Sequence, residues 1–286
     1  MNTVYRSPED LHEIYDLMHE MDFPYRYDSL YEAWEESYAR DADGAGRALF
    51  AESETLAAYA AGKPVGFIQY GRTAFGFDSA GEISEKISYP VIRNFFFLPG
   101  WRKAGAELLE RAMEKLARRR ERIWAFYHYF GMSCYARHGK LFEGLSEVRE
   151  LLLENGFAVE HENVFYSSRL AEWEATGAEI RWQDPTPGGQ QRGELFLRGE
   201  IVGDCEVHIL KQGEIAYLRW IGIDPKMRRK GVGSQAMAAL RNDLLERGIR
   251  RLDTDTALTN ERAQRYYQRN RFIREGLTRS YFADAQ

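Results

Sequence analysis

Three consecutive cations run into two glycines at Arg228–Gly233, within the segment "IGIDPKMRRKGVGSQAMAAL". Apolar residues recur at helical spacing after Gly233, so the glycines stand at the start of a predicted helix. The first turn of a helix carries unpaired N–H groups and a partial positive charge, which makes cations alone unfavourable there. A bound anion reverses that sign, and Gly231 and Gly233 let the backbone approach it closely. The corner therefore predicts a phosphate or pyrophosphate site.

Two nucleotide-binding motifs were compared with this corner. A mononucleotide loop needs Gly-Lys followed by Ser or Thr, and neither "GKP" at Gly62 nor "GKL" at Gly139 provides it. "GVGSQA" fits the dinucleotide pattern G-x-G-x-x-A, with Asp253 or Asp255 near the position of a ribose-binding acid. A dinucleotide turn follows its strand directly, however, whereas "DPKMRRK" intervenes here. An NAD-binding oxidoreductase is therefore the less favoured alternative.

The run "IGIDPKMRRKGVG" resembles the acetyl-CoA loop of the GCN5-related N-acetyltransferases, the GNAT superfamily. That loop has a strand ending in an apolar residue, then x-Pro, Arg or Gln, and x-x-Gly-x-Gly, matched here by Ile223, Pro225, Arg228, Gly231 and Gly233. A second signature of the family, Asn-x-x-Ala with a following aromatic–Tyr pair and Phe, is matched by Asn260, Ala263, Tyr266, Tyr267 and Phe272. Arg271 departs from the family's usual Gly before that Phe. The resemblance covers about residues 179–286.

The resemblance implies acetyl-CoA as cosubstrate and assigns most of its contacts. Backbone amides of the loop would hold the pyrophosphate: Arg228, Arg229, Lys230, Gly231, Val232, Gly233 and Ser234. Ile221 and Ile223 would pair with the pantetheine arm, which Asn260, Ala263 and Tyr267 would also contact. The Ile223 N–H would stabilise the oxyanion. Tyr267 matches the general acid of the family, because a phenol with a pKa of about 10 can protonate a thiolate whose thiol has a pKa of about 8.5.

The general base is less well defined. An amine substrate with a pKa of about 10.4 must lose a proton before it attacks. The position that matches the family's base holds Tyr217, and Glu214 lies three residues upstream as a candidate. Asp204, Glu206 and His208 alternate on one strand and share a face, so any of them is a further candidate.

Two acids on the next strand have a different predicted role. Asp253 and Asp255 share one face of "IRRLDTD". Carboxylates on one face could grip the ammonium group of a substrate, and we expect Tyr217 to belong to the same substrate site. The sequence predicts no metal site.

The order of predicted elements occurs twice along the chain. "NGFAVEHENVFY" and "NRFIREGLTRSY" both place Asn before x-Phe and Tyr nine residues after that Phe. We therefore predict an α/β (α+β) protein with two tandem GNAT-like domains, each with a mixed, mostly antiparallel central sheet flanked by helices. The predicted domains are residues 1–172 and residues 179–286, the second of which binds acetyl-CoA.

The first copy differs from the second in its predicted cofactor loop. Aligning Gly105 with Gly233 puts Lys103 where the first glycine should be, and a lysine Cβ would obstruct a phosphate. The first copy also carries about 13 extra residues around "FGMSCYARHGKLFEGLSE". We expect residues 1–172 to be a degenerate copy without the cofactor.

Composition narrows the class of protein. The chain has 286 residues, a formal net charge of −5 and two cysteines, and it contains no apolar stretch that could span a membrane. Its acidic balance argues against nucleic-acid binding, and its start does not resemble a signal peptide. Two well-separated cysteines favour a reducing, cytoplasmic setting. We expect a monomer or a homodimer.

These observations predict an acetyl-CoA-dependent N-acetyltransferase acting on a primary amine of a small molecule. An amine-bearing antibiotic, in a self-resistance role, or a peptide-like metabolite would suit the acidic chain. A non-catalytic acyl-CoA-binding regulator is the other alternative, which an intact Tyr267 disfavours.

Overall fold

A computed structural model describes residues 3–117, 121–174, 177–186, 188–210 and 214–284. Helices in these ranges are α1 (His12–Glu20), α2 (Tyr31–Ala39), α3 (Arg102–Leu116), α4 (Ser146–Glu154), α5 (Val232–Glu246) and α6 (Glu261–Arg269). The strands up to residue 169 are β1 (Thr3–Arg6), β2 (Phe50–Ala60), β3 (Lys63–Thr73), β4 (Gly76–Phe77), β5 (Ile83–Ser84), β6 (Pro90–Phe97), β7 (Ile123–Ala125), β8 (Leu141–Phe142) and β9 (Ala158–Arg169). The later strands are β10 (Ala178–Trp182), β11 (Gln190–Leu197), β12 (Glu200–Ile209), β13 (Ile215–Ile223), β14 (Arg251–Ala257) and β15 (Ile273–Ala283).

The chain forms two compact units. Unit 1 comprises Met1–Asp43, Arg47–Glu162 and Thr278–Gln286, and unit 2 comprises Gly44–Gly46 and Asn163–Leu277. Strands β9 and β15 therefore contribute residues to both units. The predicted division into residues 1–172 and 179–286 stays a prediction.

Unit 1 has its strands in the order β1-β2-β3-β6-β7-β15. Neighbours are antiparallel except β6 and β7, which pair in parallel only at Val91/Trp124 and Ile92/Ala125. Strand β7 is short although the apolar run continues past it, because Phe126 takes a positive φ of 53° directly after Ala125. Buried apolar residues of β3 and β6, which are consecutive along much of each strand, build the core of this unit with α1 and α3.

Unit 2 has its strands in the order β9-β14-β13-β12-β11-β10. Only β13 and β14 are parallel, joined through α5. Helices α5 and α6 contribute to a single apolar core with one face of the sheet, in which Met237 and Leu240 of α5 and Leu218 and Leu252 of the strands are fully or almost fully buried. Strands β11 and β12 form a hairpin that turns at Arg198 and Gly199, which both have positive φ.

Both units repeat a hairpin, a central strand, a crossover helix, a parallel strand and a second helix. The Asn found in both sequence repeats ends that second helix. Asn155 Nδ2 donates to the Leu151 carbonyl at 2.8 Å, and Asn270 Nδ2 donates to the Tyr266 carbonyl at 2.7 Å. The sequence repeat is therefore a repeated helix C-cap, and the predicted mixed, mostly antiparallel sheets flanked by helices are confirmed.

Candidate active site

A gap opens between the two parallel strands of unit 2. Strand β13 pairs with β14 only from Ile215/Arg251 to Leu218/Thr254. Beyond that point β13 still pairs with β12 as far as Ile223, and β14 still pairs with β9 as far as Ala257. Two neighbouring strands that separate while each keeps its outer partner present backbone N–H and C=O groups to an extended ligand.

The backbone of β13 turns its donors toward this gap. A bulge leaves Arg219 without a register partner in the backbone ladder with β12, since Leu218 pairs with Val207 and Trp220 pairs with Glu206. The Asp224 N–H donates to the Val202 carbonyl at 2.8 Å, so this pair is hydrogen-bonded across the ladder. Backbone groups alternate in direction along an antiparallel pair.

The alternation fixes the direction of two amides that the sequence singled out. Ile221 and Ile223 stand three residues and one residue before Asp224, and their N–H groups therefore point away from β12. That is the side on which β14 has already separated from β13. Both side chains are partly buried against the core of unit 2.

The loop after β13 presents cations to solvent. Asp224 accepts from the Lys226 N–H at 2.8 Å and caps a short 3₁₀ turn at Pro225–Met227. Arg228 Nε donates to the Ile223 carbonyl at 2.7 Å. The cations of this loop are all exposed, and none of the ion pairs among the described residues uses them: Lys226, Arg228, Arg229 and Lys230.

The two loop glycines are required for different reasons. Gly231 precedes α5 with a φ of 80°, a conformation in which residues with a Cβ are strained, although a Cβ there would have open space. At Gly233 a Cβ would lie 3.2 Å from Tyr266 Cε2, and the Tyr266 hydroxyl donates to the Gly233 carbonyl at 2.8 Å. Tyr266 therefore holds the start of α5 in place.

The Asn-x-x-Ala signature is a helix N-cap. Asn260 Oδ1 accepts from the Ala263 N–H at 3.1 Å at the start of α6. Asn260 is exposed, and the cap uses only its oxygen, so the amide nitrogen can donate elsewhere.

Tyr267 lies beside the last paired residues of the two parallel strands. Its side chain is 7% exposed and lies close to the side chain of Thr254. Burial raises the pKa of Tyr267, Thr254 opposes this, and the nearby negative charge of Asp255 raises it further. The phenol is therefore protonated at neutral pH, as an acid must be.

The two acids of β14 have different surroundings. Asp253 is fully buried, and Arg251 donates to both of its oxygens at 2.9 and 2.8 Å. This internal ion pair removes Asp253 from contact with a substrate, contrary to the expectation from the sequence. Asp255 is only partly buried and accepts from Asn163 Nδ2 at 2.6 Å. It is the first residue of β14 beyond the last pair with β13.

Glu214, a candidate base three residues before Tyr217, lies far from Ile223 along the strand. It precedes β13, and nine extended residues separate the two by about 30 Å along the strand. Its backbone carbonyl accepts from the N–H groups of Arg250 and Arg251. Tyr217, which was assigned to the substrate site, is 7% exposed and pairs in register with Asp253, one row before the gap.

The other candidate bases lie on β12. Partial burial tends to raise the pKa of Asp204, but hydrogen bonds from Arg192 and Trp220 outweigh it and lower the pKa. Glu206 forms an ion pair with Arg219 at 3.1 Å, and His208 is 4% exposed. A carboxylate with a lowered pKa is a weak base, so the geometry favours Asp255 over Asp204.

The equivalent place in unit 1 is filled by its own chain. Arg93 of β6 donates from Nε to the Phe130 carbonyl at 2.9 Å and from its Nη2 atom to the Gly131 carbonyl at 3.1 Å. Asn94 Nδ2 contacts Met132 Sδ at 3.6 Å. The segment containing the extra residues therefore packs on β6 where β7 has left it, and the cavity there measures about 10 Å³.

Unit 1 also lacks an extended loop before its crossover helix. Residues 98–101 connect β6 to α3, whereas residues 224–231 connect β13 to α5. The ring of Phe97 occupies the space that a Cβ on Gly105 would need, at 2.5 Å. Two parts of this site were not foreseen from the sequence, namely the bond between Thr254 and Leu218 and the contact between Asn163 and Asp255.

Comparisons with known proteins were made for the whole chain. Residues 147–272 match the model of the acetyltransferase (GNAT) family. No curated protein sequence matches the chain. In the part of the chain that the structure describes, no helix is long and apolar enough to cross a membrane.

Three solved structures of similar fold extend over nearly the whole chain. One is a tandem GNAT protein from the clavulanic acid biosynthesis pathway, with a TM-score of 0.65 and 12% identity over 100% of this chain and 98% of that one. A GCN5-related N-acetyltransferase from Sphaerobacter thermophilus has a TM-score of 0.61 and 13% identity over 99% and 95%. A GCN5-related glucosamine N-acetyltransferase region of a fungal multi-domain GH3 β-N-acetylglucosaminidase has a TM-score of 0.63 and 12% identity over 98% of this chain and 38% of that one.

These structures share the tandem fold of this chain, and the family model covers the segment that contains the gap, the basic loop and Tyr267. Residues 147–272 therefore match a family of N-acetyltransferases whose acetyl donor is acetyl-CoA, and the chain as a whole has the fold of tandem GNAT proteins.

Proposed function

We propose that unit 2 binds acetyl-CoA across the gap between β13 and β14 and transfers the acetyl group to a primary amine of a small molecule. The observation that carries this proposal is the end of parallel pairing at Leu218/Thr254, directly before a loop of unpaired cations and a helix N-terminus. The gap suits an extended pantetheine arm, and the loop suits its pyrophosphate.

The cofactor contacts follow from the direction of the backbone. Ile221 and Ile223 direct N–H groups into the gap and would pair with the arm. Asn260 would add a bond from its amide nitrogen, which the N-cap does not use, with Ala263 and Tyr267 beside it. The pyrophosphate would be held by the cations and amides of the loop and the first turn of α5, from Arg228 to Ser234.

The chemistry is direct transfer. The amine nitrogen attacks the thioester carbon, and the Ile223 N–H holds the oxygen that becomes negative. Tyr267 then gives its proton to the sulfur that leaves. The transfer costs about 2 kcal/mol for a phenol and a thiol of ordinary pKa, which differ by about 1.5 pKa units. Burial of Tyr267 adds to that cost, while it keeps the acid in its protonated form.

Unit 1 would have the fold without the cofactor. The segment around Phe130 and Met132 packs beside Arg93 and Asn94, where a pantetheine arm would lie in unit 1. The loop between β6 and α3 is too short to surround a pyrophosphate. The filled gap and the short loop both support the expectation that residues 1–172 are a degenerate copy. They are stronger support than the presence of Lys103 at the position of the first glycine.

An acceptor with a cationic amine suits the acidic chain, which has a net charge of −5. Asp255 stands at the mouth of the gap and could attract it. The similarity in fold to a tandem GNAT protein from the clavulanic acid biosynthesis pathway supports an acceptor such as an amine-bearing antibiotic or a peptide-like metabolite. The alternative, a regulator that binds acyl-CoA without turnover, is disfavoured because Tyr267, which matches the general acid of the family, is intact.

The test is transfer from acetyl-CoA to a panel of primary amines, namely methylamine, 1,4-diaminobutane, glucosamine and lysinamide. Free CoA thiol and N-acetylated product would be measured together. Lys230→Glu should reduce the transfer rate at least tenfold at acetyl-CoA concentrations below KM, because it reverses a charge at the proposed pyrophosphate site. Lys103→Glu makes the same change in the loop region of unit 1 and should leave the rate within twofold. Equal effects of the two variants, or no acetyl-CoA binding at all, would contradict the proposal.

A further inference from the structure

The side chains of Asp255 and Asn163 lie together on one face of the sheet of unit 2. Asp255 pairs with Phe165 of β9, and Asn163 stands two residues before Phe165 on the same face. Thr254 points to the other face, where it bonds to the Leu218 carbonyl beside Tyr267. A thioester bound in the gap would therefore have Asp255 on one face of the sheet and the proposed acid, Tyr267, on the other.

The orientation of the Asn163 amide is fixed by its partner. A carboxylate can only accept, so the NH₂ group must face Asp255, and Nδ2 lies 2.6 Å from Asp255 Oδ2. The amide oxygen, Oδ1, is buried and has no hydrogen-bond partner among the residues that the structure describes. Asn163 itself is only 6% exposed. A buried acceptor without a donor costs about 1–3 kcal/mol and calls for a group that supplies one.

The missing donor can be identified by its chemistry. Oδ1 belongs to the same amide as Nδ2, so it lies within roughly 5 Å of the Asp255 oxygen. The two residues therefore present one neutral and one charged acceptor close together. A primary ammonium carries a positive charge and three donors on one atom, so it can bond to both at once.

We propose that Asn163 and Asp255 form the seat of the acceptor amine and that Asp255 is the group that deprotonates it, which rests on the proposed transfer from acetyl-CoA in unit 2. The ammonium gives one proton to the Asp255 carboxylate, and the freed lone pair forms the C–N bond as the C–S bond breaks. Tyr267 protonates the sulfur and regains a proton from the nitrogen, which becomes an amide. Asp255 passes its proton to water, so each turnover releases one proton, one CoA thiol and one acetamide.

The other acids singled out in the sequence do not compete for this role. Asp253 is saturated by Arg251, and Glu214 lies at the far end of β13. Asn163 has two functions in this account, since it contacts the amine and also positions the Asp255 carboxylate.

The experiment measures acetyl transfer to the four amines named above in full-length wild type, Asp255→Asn, Asn163→Leu and Asp184→Asn. Asp184 is an exposed acid before Pro185, and its variant makes the same charge change away from the site. Asp255→Asn keeps the size of the side chain and should lower kcat/KM for the amine at least 100-fold, as expected for loss of a base. Asn163→Leu should raise KM for the amine at least tenfold, and Asp184→Asn should stay within twofold of wild type.

Calorimetric titration of acetyl-CoA separates the two proposals. A Kd for acetyl-CoA within threefold of wild type in Asp255→Asn and Asn163→Leu, together with the kinetic losses, supports the amine seat. Either variant retaining wild-type kinetics overturns it, as does a wild type that binds acetyl-CoA but acetylates none of the amines. A wild type that does not bind acetyl-CoA contradicts the proposed function itself. Should Asp255→Asn fail to fold, Asn163→Leu alone decides through its KM.

Discussion

The Thr254 hydroxyl donates to the Leu218 carbonyl at 2.9 Å, across the last paired residues of β13 and β14. This bond lies at the last registered pair of the parallel ladder, directly before the gap. Thr254 also lies close enough to Tyr267 to lower the pKa of that phenol, so one side chain stands beside both the start of the gap and the proposed acid.

Replacement of Thr254 by Val should destabilise the protein. Valine has nearly the same shape but leaves the Leu218 carbonyl buried without its donor, which costs about 1–3 kcal/mol. Chemical denaturation of Thr254→Val and Thr256→Val checks this, because Thr256 lies two residues along the same strand face and is less buried. A loss of stability that is the same in both variants would contradict the role of the bond.

The adjacent tyrosines of α6 should differ in function. Tyr267→Phe removes the proposed acid, so kcat should fall by a factor of about 10²–10⁴ while the Kd for acetyl-CoA changes little. Tyr266→Phe removes only the bond to the Gly233 carbonyl, so it should cost about 1 kcal/mol of stability and leave kcat within threefold. Steady-state kinetics of the two variants side by side would refute the assignment if their effects on kcat were reversed or equal.

The stability of Gly231 variants should follow how well each substituted residue tolerates the left-handed backbone conformation. With a φ of 80° and open space around a Cβ, the cost is one of backbone strain, about 1–2 kcal/mol for most residues. Gly231→Asn should therefore unfold at a higher denaturant concentration than Gly231→Val. The opposite ranking would indicate that packing, and not backbone conformation, requires glycine there.

The two cysteines should be unreactive in the native protein. Burial raises the pKa of both the Cys134 and the Cys205 thiols to about 12. At pH 8 only about one thiol in 10⁴ would then be ionised, so reaction with a disulfide reagent should be slow until the protein unfolds. Because the pKa is higher in the folded state, the associated stability is complete below the pKa of the unfolded thiol and is lost as pH rises toward 12. Rapid modification of either thiol in the folded protein at pH 8 would be inconsistent with these surroundings.

Much of the fold could be predicted from local patterns. The hairpins, the crossover helices and the repeated C-caps at Asn155 and Asn270 each depend on residues that are close in sequence. The cap at Asn260 is equally local, since it joins residues that are three apart. The early end of β7 could not be predicted, because the apolar run continues past Phe126 and only tertiary contacts give that residue its positive φ.

The candidate site was less accessible to sequence reasoning. Asp253 and Asp255 look alike in an alternating strand, and only the structure shows that Arg251 neutralises the first. Asn163 lies 92 residues from Asp255, so no local spacing could join them. Glu214 was chosen by proximity in sequence to Tyr217, but an extended strand carries nearby residues away from the gap.

The stoichiometry of acetyl-CoA binding tests the central claim most directly. Calorimetric titration should give one site per chain, because unit 1 fills its own gap with the segment around Phe130 and Met132. Lys230→Glu should weaken that site at least tenfold, and Lys103→Glu should leave it within twofold; Gly105 is unsuitable as a control, since a Cβ there meets Phe97 at 2.5 Å. Two sites per chain, or a single site that responds to Lys103→Glu and not to Lys230→Glu, would contradict the assignment of the working site to unit 2.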